Sequence, residues 1–282
     1  MHERSRTGVL LAALLALPVV LGIAYVALAA MGIVGAGAHG PTAVPLQDVL
    51  TNRATWRGLA WSLWVAGVST VMATIIAVMI GVLFRGASIT DRVGRSFALL
   101  PLPVPHVVAG LLGVQLFAQS GWIARLAHAA GAIAEPAAMP ALIYDTFGIG
   151  LIVTMTWKEA PFLSAVAIAL LSMRGTTAEE AARTLGASAA RTLRLITIPL
   201  LLRGMMPAIV AVFVFVFGNF EVAVLLSPSD PLPLPLLIEE RALDADLARR
   251  AGAHVAALLA FAVAIAAVTM HGRASANASA RQ

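Results

Sequence analysis

Long runs without a charged side chain constrain this sequence more than any other feature. Residues 9–34, 58–84, 97–122 and 251–271 contain no Asp, Glu, Lys or Arg. Two further runs are interrupted once each, 146–173 by Lys158–Glu159 and 204–227 by Glu221. Each exceeds the roughly 20 apolar residues that cross a bilayer core. Lipid offers no hydrogen-bond partner to a peptide group, so runs of this kind read as helices that satisfy their own backbone. Composition agrees, because only 12% of the 282 residues are charged, about half the fraction found in soluble domains. The expectation is an all-α polytopic membrane protein, one domain over 1–282, with six transmembrane helices. The stretch before residue 9 is basic, but the first apolar run is longer than the ~7–15 residues of a signal-peptide core. It reads as a retained anchor.

The basic balance, a net charge of +5, could point to nucleic acid. Sorting the charges by loop removes that reading. With the N-terminus inside, six spans return the C-terminus inside. The inner segments then carry twelve arginines: Arg4, Arg6, Arg85, Arg92, Arg95, Arg174, Arg183, Arg191, Arg194, Arg203, Arg273 and Arg281. The outer segments carry six, at Arg53, Arg57, Arg125, Arg241, Arg249 and Arg250. That two-to-one bias is what the positive-inside rule expects, so the charge is a topology signal and both termini are expected on the cytoplasmic side.

Several chemistries drop out. There is no cysteine, hence no disulfide, thiolate metal site or thiol nucleophile. The only lysine, Lys158, precedes Glu159, whereas a phosphate-binding loop of the Walker type needs Gly-Lys-Ser/Thr. His2, His39, His106, His128, His254 and His271 are scattered, with no H-E-x-x-H pair for zinc. His106 and His254 read as polar caps near the ends of their spans. Gly86-Ala-Ser88 and Gly186-Ala-Ser188 resemble a serine-protease motif only superficially, since both fall in charged loops. Neither an enzyme nor a resident cofactor or metal is expected.

The long inner loop at 174–203 is the most patterned part of the chain. Thr177 followed by Glu180 has the spacing of a capping box. Ala181, Ala182 and Leu185 continue a short helix, and Gly186 suits the left-handed position that ends one. Ser188 then opens a second helix running to Pro199. The pattern Glu180-Ala181-Ala182, Gly186, Ile196 and Ile198-Pro199 resembles the EAA loop of bacterial ABC importer permeases, with Ile198 where that family usually has Leu. Pro101-Leu-Pro103-Val-Pro105 at the head of the third span is similar to permeases for sulfate, molybdate, thiamine, iron and polyamines. Phe217-Gly-Asn219-Phe-Glu221 and Asp246-Leu-Ala-Arg249-Arg250 are similar to the polyamine- and thiamine-type members. Together the resemblances reach from about Leu99 to Ala260.

The resemblance implies a type I ABC importer permease fold in a bacterial plasma (inner) membrane. It implies a second permease subunit in a homo- or heterodimer, two ATP-binding subunits that hold ATP-Mg, and an extracytoplasmic solute-binding protein. Glu180, Ala181, Ala182, Leu185, Gly186, Ile196 and Pro199 would form the part that couples to the ATPase. The substrate would be a small charged solute: polyamine, thiamine, phosphonate, oxyanion or ferric ion.

A charge in mid-membrane costs about 2.5–3.5 kcal/mol on insertion scales, so it faces protein or water. Lys158, Glu159, Asn219 and Glu221 are therefore candidates for the substrate pathway. The competing reading of Lys158 and Glu159 is a set of structural bonds. An ion-coupled secondary transporter using Glu159 or Glu221 is the alternative function, but such proteins typically carry inverted repeats and no convincing repeat is present.

Overall fold

The computed structural model describes residues 2–35, 37–174 and 177–279. It is all-helical, with no strand among the described residues. Among the described residues thirteen α-helices follow in order: α1 (His2–Ala30), α2 (Val44–Thr51), α3 (Arg53–Leu83), α4 (Ile89–Leu99), α5 (His106–Phe117), α6 (Trp122–Ala129), α7 (Ile149–Arg174), α8 (Thr177–Thr184), α9 (Ala189–Thr192), α10 (Ile198–Phe217), α11 (Ala223–Leu226), α12 (Leu234–Ala242) and α13 (Ala251–Ser279). Six helical stretches are long and apolar enough to span a membrane: Gly8–Ala30, Arg53–Leu83, His106–Ala129, Ile149–Met173, Ala189–Phe217 and Ala251–Arg273.

The chain divides into two compact units, Met1–Leu59 with Leu232–Ile265, and Ala60–Pro231 with Ala266–Gln282. In the first, a turn rich in left-handed glycines, among them Gly32, Gly35, Gly37 and Gly40, follows α1. At Gly37 a Cβ would lie 2.7 Å from the Leu247 carbonyl carbon, so no other residue fits there. In the second unit α7 is the central post, with Leu151, Met155, Leu163 and Ala167 almost fully buried. Helix α5 approaches it closely because Gly113 has no side chain: a Cβ there would meet Thr154 Oγ1 at 2.7 Å and Leu226 Cδ1 at 2.9 Å. The buried hydroxyls of Thr154 and Ser164 donate back to the carbonyls of Gly150 and Ala160, which removes their desolvation cost.

Three elements differ from the sequence expectation. The third span, expected as one helix over 97–122, is broken into α4, α5 and α6. Pro101, Pro103 and Pro105 lack N–H donors and push their predecessors out of the helical region, so the segment between α4 and α5 turns through short local bonds such as Leu102 N–H to Leu99 C=O (3.0 Å). The second helix of the long loop does not stop at Pro199. Helix α9, one π-helical turn (Leu193–Thr197) and α10 run on without interruption, and Pro199, which has no N–H to give the preceding turn, directly follows that widened turn. Finally, the fifth span ends at Phe217 rather than 227, because Gly218 and Asn219 turn the chain. Asn219 and Glu221 therefore do not lie on a continuous helix.

Candidate coupling loop and intramembrane clasp

Helix α8 ends sharply. Gly186 has φ +83°, its N–H donates to Arg183 C=O (2.9 Å), and the next N–H, of Ala187, donates to Ala182 C=O (3.0 Å). These are the paired bonds of a Schellman motif. Two residues later Ser188 accepts from the N–H of Arg191 and opens α9. Ser88 opens α4 with a full capping box to Asp91. Both serines of the protease-like tripeptides are thus helix caps. At its start, α8 already includes Thr177, so Thr177 is not the residue that precedes and caps the helix; residues 175 and 176 lie outside the described residues. The face ending in Leu185 is open: Leu185 is 89% exposed, with Ala181 exposed and Ala182 half-buried. Glu180 is exposed too, while Ile196 and Pro199 are half-buried on the α9–α10 stretch.

What fixes α8 is a residue the sequence reading passed over, Glu179. Its carboxylate takes both oxygens to Arg85 Nη1 at 2.9 Å, just beyond α3, and accepts from the Thr197 hydroxyl at 2.7 Å, at the foot of α10. Burial pushes the Glu179 carboxyl up, but the Thr197 hydrogen bond and the Arg85 guanidinium outweigh it and hold it below its ordinary value. One side chain therefore ties the short helix to the ends of two long ones. A pairing 94 residues apart leaves no local sequence signal; an acidic pair at 179–180 in the first turn was the only hint.

The second cluster lies within the apolar spans. Lys158 and Glu159, on α7, are 5% and 7% exposed, and they do not pair with each other. Lys158 Nζ donates to the Leu102 carbonyl (3.3 Å) inside the proline break. Glu159 Oε1 accepts from His106 Nε2 (2.9 Å), the first residue of α5. Adjacent residues of one helix thus grip both sides of the break, and His106 also packs its ring against Phe215 of α10 at 4.7 Å. No hydrogen bond or ion pair among the described residues brings Asn219 or Glu221 to this cluster. Asn219 Oδ1 accepts from Val222 N–H (2.9 Å) and shapes the turn before α11, and Glu221 is exposed. No group of three or more metal-ligating side chains occurs among the described residues.

Residues 73–280 match the family model described as binding-protein-dependent transport system inner membrane component. The molybdenum transport system permease protein ModB of Mycobacterium tuberculosis is 29% identical over 173 residues, 61% of this chain and 62% of that protein. The sulfate transport system permease protein CysW of Synechococcus elongatus is 31% identical over 154 residues, 52% of this chain and 50% of the relative. The chain thus spans about half to three-fifths of the length of these relatives. Among solved structures, one chain of a bacterial alginate ABC transporter in complex with alginate pentasaccharide-bound periplasmic protein superposes with a TM-score of 0.71 at 18% identity, covering 97% of this chain and 96% of that one. A chain of the MetNI methionine ABC transporter in an inward-facing form gives 0.54 at 16% identity, over 77% and 94%.

Proposed function

We propose that this chain, which belongs to the binding-protein-dependent transport system inner membrane component family, is the permease subunit of an ABC importer. It sits in a bacterial inner membrane with both termini on the cytoplasmic side. It pairs with a second permease subunit and receives solute from an extracytoplasmic binding protein. ATP-Mg is held and hydrolysed on two separate ATPase subunits. The observation that carries the reading is α8: a short, sharply terminated helix with an open Ala181–Leu185 face, clamped by Glu179 to α3 and α10. A rigid helix of that kind transmits a push. Force on its face reaches α10 through Thr197 and the end of α3 through Arg85, without the lever itself bending.

In this reading the Lys158–Glu159 grip holds the proline break, a place where the third span can change angle without losing regular helix. The imported solute is a small oxyanion, supported by the relatives named for molybdenum and sulfate transport. The test is uptake by vesicles holding the permease, its ATPase and its binding protein. ATP-dependent accumulation of molybdate or sulfate is expected. Accumulation of either without ATP would overturn the assignment, and ATP-dependent uptake of only other solutes would overturn the substrate class.

A further inference from the structure

The first unit holds a cavity of about 200 Å³ that neither the coupling loop nor the clasp uses. Its walls come from four places: Tyr25 and Ala29 of α1, the glycine turn at Gly32, Gly35 and Gly37, Ala242 at the end of α12, and Arg250, Ala251 and His254 at the head of α13. The turn is shaped to roof it. All three glycines are left-handed, and a Cβ on Gly35 would point at the Tyr25 hydroxyl, 3.7 Å away.

Every polar side chain in the lining can donate, and no carboxylate lines it. The Nδ1 atom of His254 is sealed from solvent and has no hydrogen-bond partner, so Nε2 is the nitrogen of this lining ring that is left to meet a ligand. Arg250 is aimed by its own Nε, which donates to the Asp244 carbonyl at 2.8 Å; its terminal nitrogens make no bond among the described residues. Tyr25 and His254 meet edge to face at 6.1 Å. Guanidinium, imidazole and phenol lining a space this small, with no carboxylate beside them, form a receptor for a negatively charged group of few atoms.

We infer that this cavity binds a small oxyanion through Arg250, His254 and Tyr25. It lies where the apolar stretches Gly8–Ala30 and Ala251–Arg273 end, at the level of lipid head groups. The anion is therefore either the phosphate of a phospholipid or a free oxyanion, and the same three donors serve both. The inference does not depend on which solute is imported.

The experiment uses the full chain assembled with its partners in a maltoside detergent freed of phospholipid. Binding of radiolabelled sulfate and molybdate is measured at fixed ionic strength, and retained phosphatidylglycerol is counted by native mass spectrometry after titration. At least one of these ligands is expected to bind. Arg250→Gln is expected to weaken it about tenfold or more, and Tyr25→Phe, which keeps the ring packing, several-fold. Sulfate or molybdate binding lost in both variants identifies a free-anion site; phosphatidylglycerol retention lost in both identifies a lipid site. If no ligand binds, or if all bind as well to properly assembled Arg250→Gln and Tyr25→Phe proteins, the inference is wrong and the cavity holds only water. A failed uptake assay leaves this result untouched, because binding here is read without turnover.

Discussion

The coupling loop and the intramembrane clasp use charge in opposite ways. On α8 the Glu179 carboxylate sits between a guanidinium and a hydroxyl at the edge of the apolar region, and the working face next to it is bare alanine and leucine. On α7 two charges are spent inside the membrane to satisfy one carbonyl and one imidazole across a break in another helix. The first arrangement makes a stiff part stiffer. The second tethers a part whose backbone cannot hold itself, since three prolines have removed three donors. Rigidity at the lever and restraint at the joint are different engineering, and substitutions should separate them.

The largest effect is expected at the lever. Gly186→Glu forces a bulky residue into a φ of +83°, a conformation that costs a side chain about 1–2 kcal/mol, and places a new charge beside the Leu185 face. Uptake is expected to fall more than tenfold while membrane insertion is unchanged and thermal stability falls by no more than that strain. At the joint the order reverses. Glu159→Ala leaves His106 without its acceptor and should lower thermal stability by about 1–3 kcal/mol, with uptake falling several-fold. Glu159→Gln, which can still accept from the ring, should recover most of that stability. A lever variant that keeps its uptake, or a joint variant that loses uptake as completely as the lever variant, would erase the distinction.

The smallest effect is at the Glu179 anchor. Glu179→Gln keeps a shape that can bond Thr197 but loses the ion pair to Arg85, so a loss of about 1 kcal/mol or less is expected for a partly exposed pair. Its pH dependence has a definite sign. The folded carboxyl lies below its ordinary value, so its contribution is fully present above the ordinary glutamate range of about 4.3. It is lost as pH falls through the lowered value. Wild type should therefore lose more stability than Glu179→Gln on acidification below about pH 4.3, measured by thermal unfolding.

The six spans were legible because lipid admits few solutions to a long uncharged run. The turn at Gly186 was legible for a similar reason, as one residue type suits a left-handed helix end. Pro199 misled because proline usually ends a helix, whereas here the widened π-helical turn directly before it lets the helix continue. Glu179 and Glu180 are neighbours on a helix of eight residues; which of them turns inward depends on where Arg85 and Thr197 arrive. The clasp was half visible. Lys158 and Glu159 stood out as charges in an apolar run, and the prolines stood out as a break, but only the fold joins residues 53 and 56 positions apart.

The chain has no cysteine, which makes a single introduced one a clean reporter. The most direct test of the lever is Leu185→Cys, an 89% exposed position, in permease assembled with its ATPase subunits and treated with a short thiol–amine crosslinker. The account predicts a crosslink to the ATPase subunit that changes in yield on ATP binding, and labelling by impermeant thiol reagents only from the cytoplasmic side. Labelling from the outer side, or free access to Leu185→Cys with no crosslink in an active complex, would contradict it.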